Sequence, residues 1–204
     1  MLRIKKAAMF GLDARIALAI FGALSVISGA ALYSAIQEAK TQAAISEFRE
    51  LEKAVESYYI DTGKRLPVHS TNVHLYLGDI LKNRENLTEW KGPYFPLEHT
   101  DSLCIKLKTA VEIDSVTCAY YMLMVTDTWD VTAGNNYCSA GDSNCLAYLL
   151  IQGNSASGIA ELTRLFNELD ARLDNSDGRL TGNVRSLDVG AWYNLYVKSI
   201  PMKL

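Results

Sequence analysis

Charge is missing from one long stretch near the N-terminus: between Ile16 and Ile36 there is no Asp, Glu, Lys or Arg. A surface helix of that length carries a polar face, so this absence excludes an ordinary amphipathic helix there. Proline is scarce, four in 204 residues, and the first is Pro67. Nothing therefore breaks a helix across the first sixty positions. The only histidines, His69, His74 and His99, include no HExxH pair, which argues against a zinc hydrolase. Cys104, Cys118, Cys138 and Cys145 form no CxxC pair, so the short ligand pairs of a structural zinc site are missing too. There is no GxSxG elbow, and Gly63-Lys64 lacks the upstream glycine of a phosphate-binding loop. No catalytic apparatus is legible, and neither an enzyme nor a cofactor is expected. Internal repeats and low-complexity linkers are absent as well.

At 49% hydrophobic and 21% charged, with a formal net charge of -3, the chain is too apolar and too long for a disordered tail. One soluble domain fits the length beyond the apolar stretch. Removing Arg3, Lys5 and Lys6 with a short leader leaves 17 basic residues against 23 acidic ones. Such a surface lacks the cations that nucleic-acid binding needs.

The uncharged run is 21 residues, about 31 Å as a helix, which matches a bilayer core. Arg3, Lys5, Lys6 and Arg15 precede it, predicting a cytoplasmic N-terminus and a body beyond the membrane. Asp13 stands just inside the junction. A carboxylate well inside a membrane helix costs roughly 2.5–3.5 kcal/mol, so an acid there calls for a compensating partner. Arg15, two positions on, points in a different direction on the same helix.

Beyond Ile36, the residues Ile45, Phe48, Leu51, Val55, Tyr58 and Tyr59 recur at helical spacing, while Glu47, Arg49, Glu50, Glu52, Lys53 and Glu56 supply the polar faces. One helix over 9–59, about 77 Å long, is the prediction. Asp61-Thr62-Gly63-Lys64-Arg65-Leu66-Pro67 ends it with a Gly and then a Pro. Strands are predicted at 103–107, 117–125, 145–151 and 191–197, a helix at 157–173, and a shorter helix near 73–82. The expected fold class is α+β, with a long N-terminal helix, membrane-spanning in its first half and amphipathic in its second, packed on an antiparallel β-sheet.

Ser139 to Asn144 are turn formers, so Cys138 and Cys145 suit a local disulfide, and Cys104 and Cys118 could bracket a hairpin. The acidic run from Asp170 to Gly178 invites comparison with a calcium loop through Asp174 and Asp177. Its order fails the EF-hand template, and Asn175, Asp177 and Gly178 equally serve a tight turn after a helix. The turn is the preferred reading, with no metal assigned.

The register of Met9-Phe10-Gly11-Leu12-Asp13, then Ile20-Phe21-Gly22-Ala23-Leu24, resembles the N-terminal segment of type IV pilins and type II secretion pseudopilins. The stop at Asp61-Thr62-Gly63-Lys64-Arg65-Leu66-Pro67 resembles the end of their long helix. Trp90-Lys91-Gly92-Pro93-Tyr94-Phe95 is similar to their aromatic turn before the sheet, and the run from Asp174 to Arg185 to a tail seen in pilin-like subunits. Here Ala8 stands for the commoner Gly, Asp13 for Glu, and the Pro often found midway along the helix is missing. The resemblance implies a leader at 1–8, a helix at 9–59 with its membrane segment at 16–36, and a head at 60–204. It implies cleavage between Ala8 and Met9 by a prepilin peptidase, methylation of the Met9 amine, and Asp13 as the acid pairing with a neighbouring subunit's N-terminus. Expected partners are copies of the chain or other pilins, the peptidase, the inner-membrane assembly machinery and, before assembly, lipid. The expected location is the bacterial inner membrane, then a periplasmic or cell-surface filament, in the role of a minor or specialised subunit.

Two other readings stay open. An ordinary signal peptide cut after Ser28-Gly29-Ala30 would release an extracytoplasmic binding domain, although the apolar run exceeds the usual 7–15 residues. An uncleaved anchor shares the topology but leaves Asp13 unexplained.

Overall fold

A computed structural model describes residues 4–69, 73–97, 103, 105, 107, 119–125, 129–138 and 145–199, with the side chains of 4–10, 120 and 133 excepted. The chain divides into two compact units, Met1–Gln42 and Ala43–Leu204.

The long helix α1 runs over Ile4–Thr62. Across the first unit its apolar side chains, from Leu12 to Ile36, are exposed. Within the second unit its periodicity takes effect. Phe48, Leu51, Val55 and Tyr58 are buried at spacings of three and four, which is one face of a helix. Tyr59, one position further round, is half exposed. Glu47, expected on a polar face, is buried instead, because Phe95, Pro96 and Leu97 gather beside it around a shallow cavity. The helix ends as anticipated. Gly63 takes a positive φ of 64° and its N–H donates to Tyr59 O at 2.8 Å, which satisfies a terminal carbonyl.

Four strands, β1 (Ala119–Val125), β2 (Cys145–Gly153), β3 (Val184–Val189) and β4 (Trp192–Lys198), form one antiparallel sheet in the order β1-β2-β4-β3. Alternation along β2 sorts its side chains. Cys145, Ala147, Leu149 and Ile151 join the core built on Phe48, Leu51 and Tyr58. Tyr148 and Leu150 face the other way, into a second cluster with Met122, Met124, Leu187 and Tyr196, against which Trp129 and Tyr137 pack. Burial on both faces accounts for the almost continuous apolar run of this strand.

Helix α2 (Ala156–Leu173) crosses between β2 and β3. Ser155 caps it, its Oγ accepting from Gly158 N at 3.0 Å, and Leu162, Leu165, Phe166 and Leu169 are its buried stripe. One expectation changes. The predicted helix near 73–82 is only a 3-10 turn over Leu77–Ile80, because Leu75 N donates to Tyr121 O and Leu123 N to Val73 O, binding this segment to the edge of β1. The predicted strand at 103–107 falls largely outside the described residues, although Ile105 bridges Ala119.

The aromatic turn after Leu87 is tied to the core. Trp90 Nε1 donates to Asp79 O at 2.9 Å, the Tyr94 ring meets Trp90 and Tyr58 edge-on, and Phe95 is buried. Burial chiefly, with Asp79 next, pushes the Tyr58 hydroxyl up to about 12.

Candidate functional site

Two places carry chemistry that packing does not explain, one in each unit. The first is the start of the apolar helix. α1 holds one stretch long and apolar enough to cross a membrane, with none of its most apolar window buried. Ala8 and Met9 lie on the helical backbone, and their side chains are outside the described residues. Asp13 is exposed and makes no hydrogen bond or ion pair with any other described residue. The described residues thus present an acid at the mouth of an apolar rod and nothing to neutralise it.

The second place is the turn that joins α2 to β3. α2 stops because Asn175 and Ser176 both take positive φ, at 56° and 60°. Asp174 then anchors the segment leading into β3. Its Oδ2 accepts from Asn183 N and Val184 N, each at 2.5 Å, and its Oδ1 from Asn183 Nδ2 at 2.6 Å. Gly182 is required by this closure. Its φ is 72°, and a Cβ there would stand 2.5 Å from Asp177 Oδ2 and 2.6 Å from Asp174 Oδ2.

Those contacts bring Asp170, Asp174 and Asp177 together, with one carboxylate oxygen of each within 4.8 Å of the others. Asp170 and Asp174 are buried, Asp177 is exposed. Burial raises the Asp170 carboxyl above its ordinary range; a hydrogen bond from Gly178 N opposes this, and the charges of Asp177 and Asp174 add to it. In the sequence, Asp174 and Asp177 were weighed as calcium ligands and read instead as part of a turn after a helix. Asp170 was visible only as the first residue of the acidic run. The missed signal is its place four residues before Asp174 on a helix, which sets both side chains on one face.

Other expected residues belong to neither of these places. Cys138 and Cys145 are joined in a disulfide with Cα atoms 6.0 Å apart, while Cys104, Cys118 and His99 lie outside the described residues. The His69 ring lies tilted against that of Tyr76, with centroids 5.4 Å apart. Burial, and then the nearby His69, push the His74 imidazole below its ordinary value. Arg185 lies over Trp129, 4.6 Å from the ring centroid, and its Nε donates to Gly182 O.

No family model, curated protein or solved structure matches this chain.

Proposed function

We propose that this protein is a structural subunit of a helical filament of the type IV pilus or type II secretion class, inserted and then assembled through α1. The observation that carries the reading is the combination on one helix of an exposed apolar surface, an acid at its head with no partner among the described residues and, further along, a face that seeds the core of an α+β domain. Eleven large apolar side chains between Leu12 and Ile36 are exposed. Covering them is worth on the order of 15–30 kcal/mol at 1.5–3 kcal/mol each, so water is not their resting environment. Lipid covers them before assembly and the helices of other subunits afterwards.

The role of Asp13 separates a polymer from a solitary anchor. An anchor gains nothing from a carboxylate at this depth. In a filament, an amine exposed by cleavage before Met9 on a subunit shifted along the axis can come level with Asp13, and each charge offsets the other's desolvation. Arg3, Lys5, Lys6 and Arg15 orient the helix with its N-terminus in the cytoplasm and its head outside.

Two measurements test this. Intact mass should give a mature chain beginning at Met9 with a methylated amine; a start at Ala31 would identify an ordinary signal peptide, and retention of Met1 an uncleaved anchor. Asp13→Ala should leave insertion, cleavage and the head domain intact while filament incorporation is lost or falls at least about tenfold, as removing one partner of a buried charge pair costs about 3–5 kcal/mol. Asp13→Glu should assemble. Wild-type incorporation of Asp13→Ala would refute the registration role.

A further inference from the structure

We propose that His69, His74 and Met122 form a binding site for a copper(I) ion where the segment around His69 and His74 borders β1. The inference is independent of filament assembly and stands whether or not the chain polymerises.

The hydrogen-bond register sets these three residues in one row. His69 N donates to His74 O at 2.8 Å and Tyr76 N to Pro67 O at 2.9 Å, on either side of the antiparallel bridge between Val68 and Leu75. His69 therefore stands directly opposite His74. Leu75 N donates to Tyr121 O at 2.8 Å and Leu123 N to Val73 O at 3.0 Å, on either side of the antiparallel bridge between His74 and Met122. Those two are a non-hydrogen-bonded pair, the kind whose side chains come closest. Directly opposed residues share a face of the sheet, with Cβ atoms roughly 4.5–5.5 Å apart. Leu75, next to His74, is turned into the main core, whereas Met122 belongs to the second cluster. The row of His69, His74 and Met122 thus carries the second face of the sheet past the edge of β1.

Contacts agree with this placement. The Tyr76 ring, diagonal to His69 on the same face, has its centroid 5.4 Å from that of His69. His69 is also close enough to His74 to disfavour a charge there. Both histidines are half-buried and Met122 is only 3% exposed, so an ion enters at the imidazoles and meets the sulfur inside.

The donor set selects the metal. Bonds from a metal to imidazole nitrogen and to sulfur run at roughly 2.0–2.3 Å, which lets His69 and Met122 close on His74 from either side. A thioether is a soft ligand that favours copper(I), and imidazole suits copper as well. All three ligands are neutral. Because the cost of removing an ion from water grows with the square of its charge, a half-buried neutral site holds one positive charge far more cheaply than two.

The test uses the full chain in detergent micelles, with thiols alkylated beforehand so that no cysteine competes. Copper(I), kept reduced with ascorbate under nitrogen, is titrated against the chromogenic chelator bicinchoninate. The wild type should withdraw copper from the chelator, and His69→Ala should weaken binding by about tenfold or more. Met122→Leu conserves volume in the cluster and removes only the sulfur. It should weaken copper(I) binding by a similar factor, and X-ray absorption at the copper edge should show a sulfur neighbour in the wild type and none in this variant. Failure of the wild type to take copper(I) from the chelator would overturn the proposal. So would undiminished affinity in both variants, which would put the ion elsewhere, or an undiminished affinity in Met122→Leu alone, which would leave a pair of imidazoles without the sulfur. Zinc bound as tightly as copper(I) would overturn the choice of metal.

Discussion

Residues 1–42 and 43–204 use apolar side chains in opposite ways. Leu24 is 57% exposed and Leu51 is fully buried, although both stand on the helix α1. Between Leu12 and Ile36 the first unit offers its apolar side chains outward, and its helix is held by backbone hydrogen bonds with local side-chain ones such as Ser25 Oγ to Phe21 O. The second draws its stability from a core in which Leu51, Tyr58, Leu149 and Leu165 meet. Secondary structure is therefore no guide to where the free energy comes from. On the proposed reading, lipid or other chains supply the surroundings that cover the exposed apolar side chains of the first unit.

The largest expected break in this contrast comes from truncating one leucine in each unit. Leu51→Ala should destabilise the protein in micelles by about 2–5 kcal/mol, because it opens a cavity in a closed core. Leu24→Ala should change stability by no more than about 0.5 kcal/mol. Urea unfolding followed by near-UV circular dichroism measures both. Equal losses would mean that the first unit is also packed by its own chain.

Redox sensitivity should belong to the second unit. The Cys138–Cys145 bridge closes a loop of separation 7, for which restriction of the unfolded chain predicts about 2.5 kcal/mol. Replacing both cysteines by alanine should lower the urea midpoint accordingly and leave extraction from membranes unchanged. A midpoint equal to that of the wild type would show that the bridge contributes nothing to stability.

The smallest effect is one of pH. With its folded pKa held below the ordinary 6.5, His74 favours folding while neutral. That contribution is complete above pH 6.5 and is lost as pH falls through the folded value. Melting temperature should therefore decline more steeply on acidification in the wild type than in His74→Gln. Parallel curves would remove His74 from the account.

Much of the fold was legible as periodicity. The helical spacing from Ile45 to Tyr58 and from Ile159 to Leu173 anticipated the second half of α1 and all of α2, and β-branched and aromatic runs anticipated β1, β2 and β4. β3 escaped notice because Val184-Arg185-Ser186-Leu187-Asp188-Val189 carries three polar residues. It is a strand because β4 pairs with it and because Asp174 and Arg179 O take the N–H groups of Val184 and Ser186. Likewise the segment around Leu77 has a helix-like composition, yet the open edge of β1 claims its backbone.

The sequence by itself determined what local chemistry can determine: an uncharged run long enough for a bilayer, an acid at its head, the glycine stop at Gly63 and the amphipathic stripes. Each depends on residues within a turn or two of one another. Only the tertiary structure decided that Asp170 joins Asp174 and Asp177 across a helix end, that Glu47 is buried, and that both faces of β2 are covered. Those outcomes depend on which distant segments come to lie side by side, and a pattern read along one chain carries no record of that.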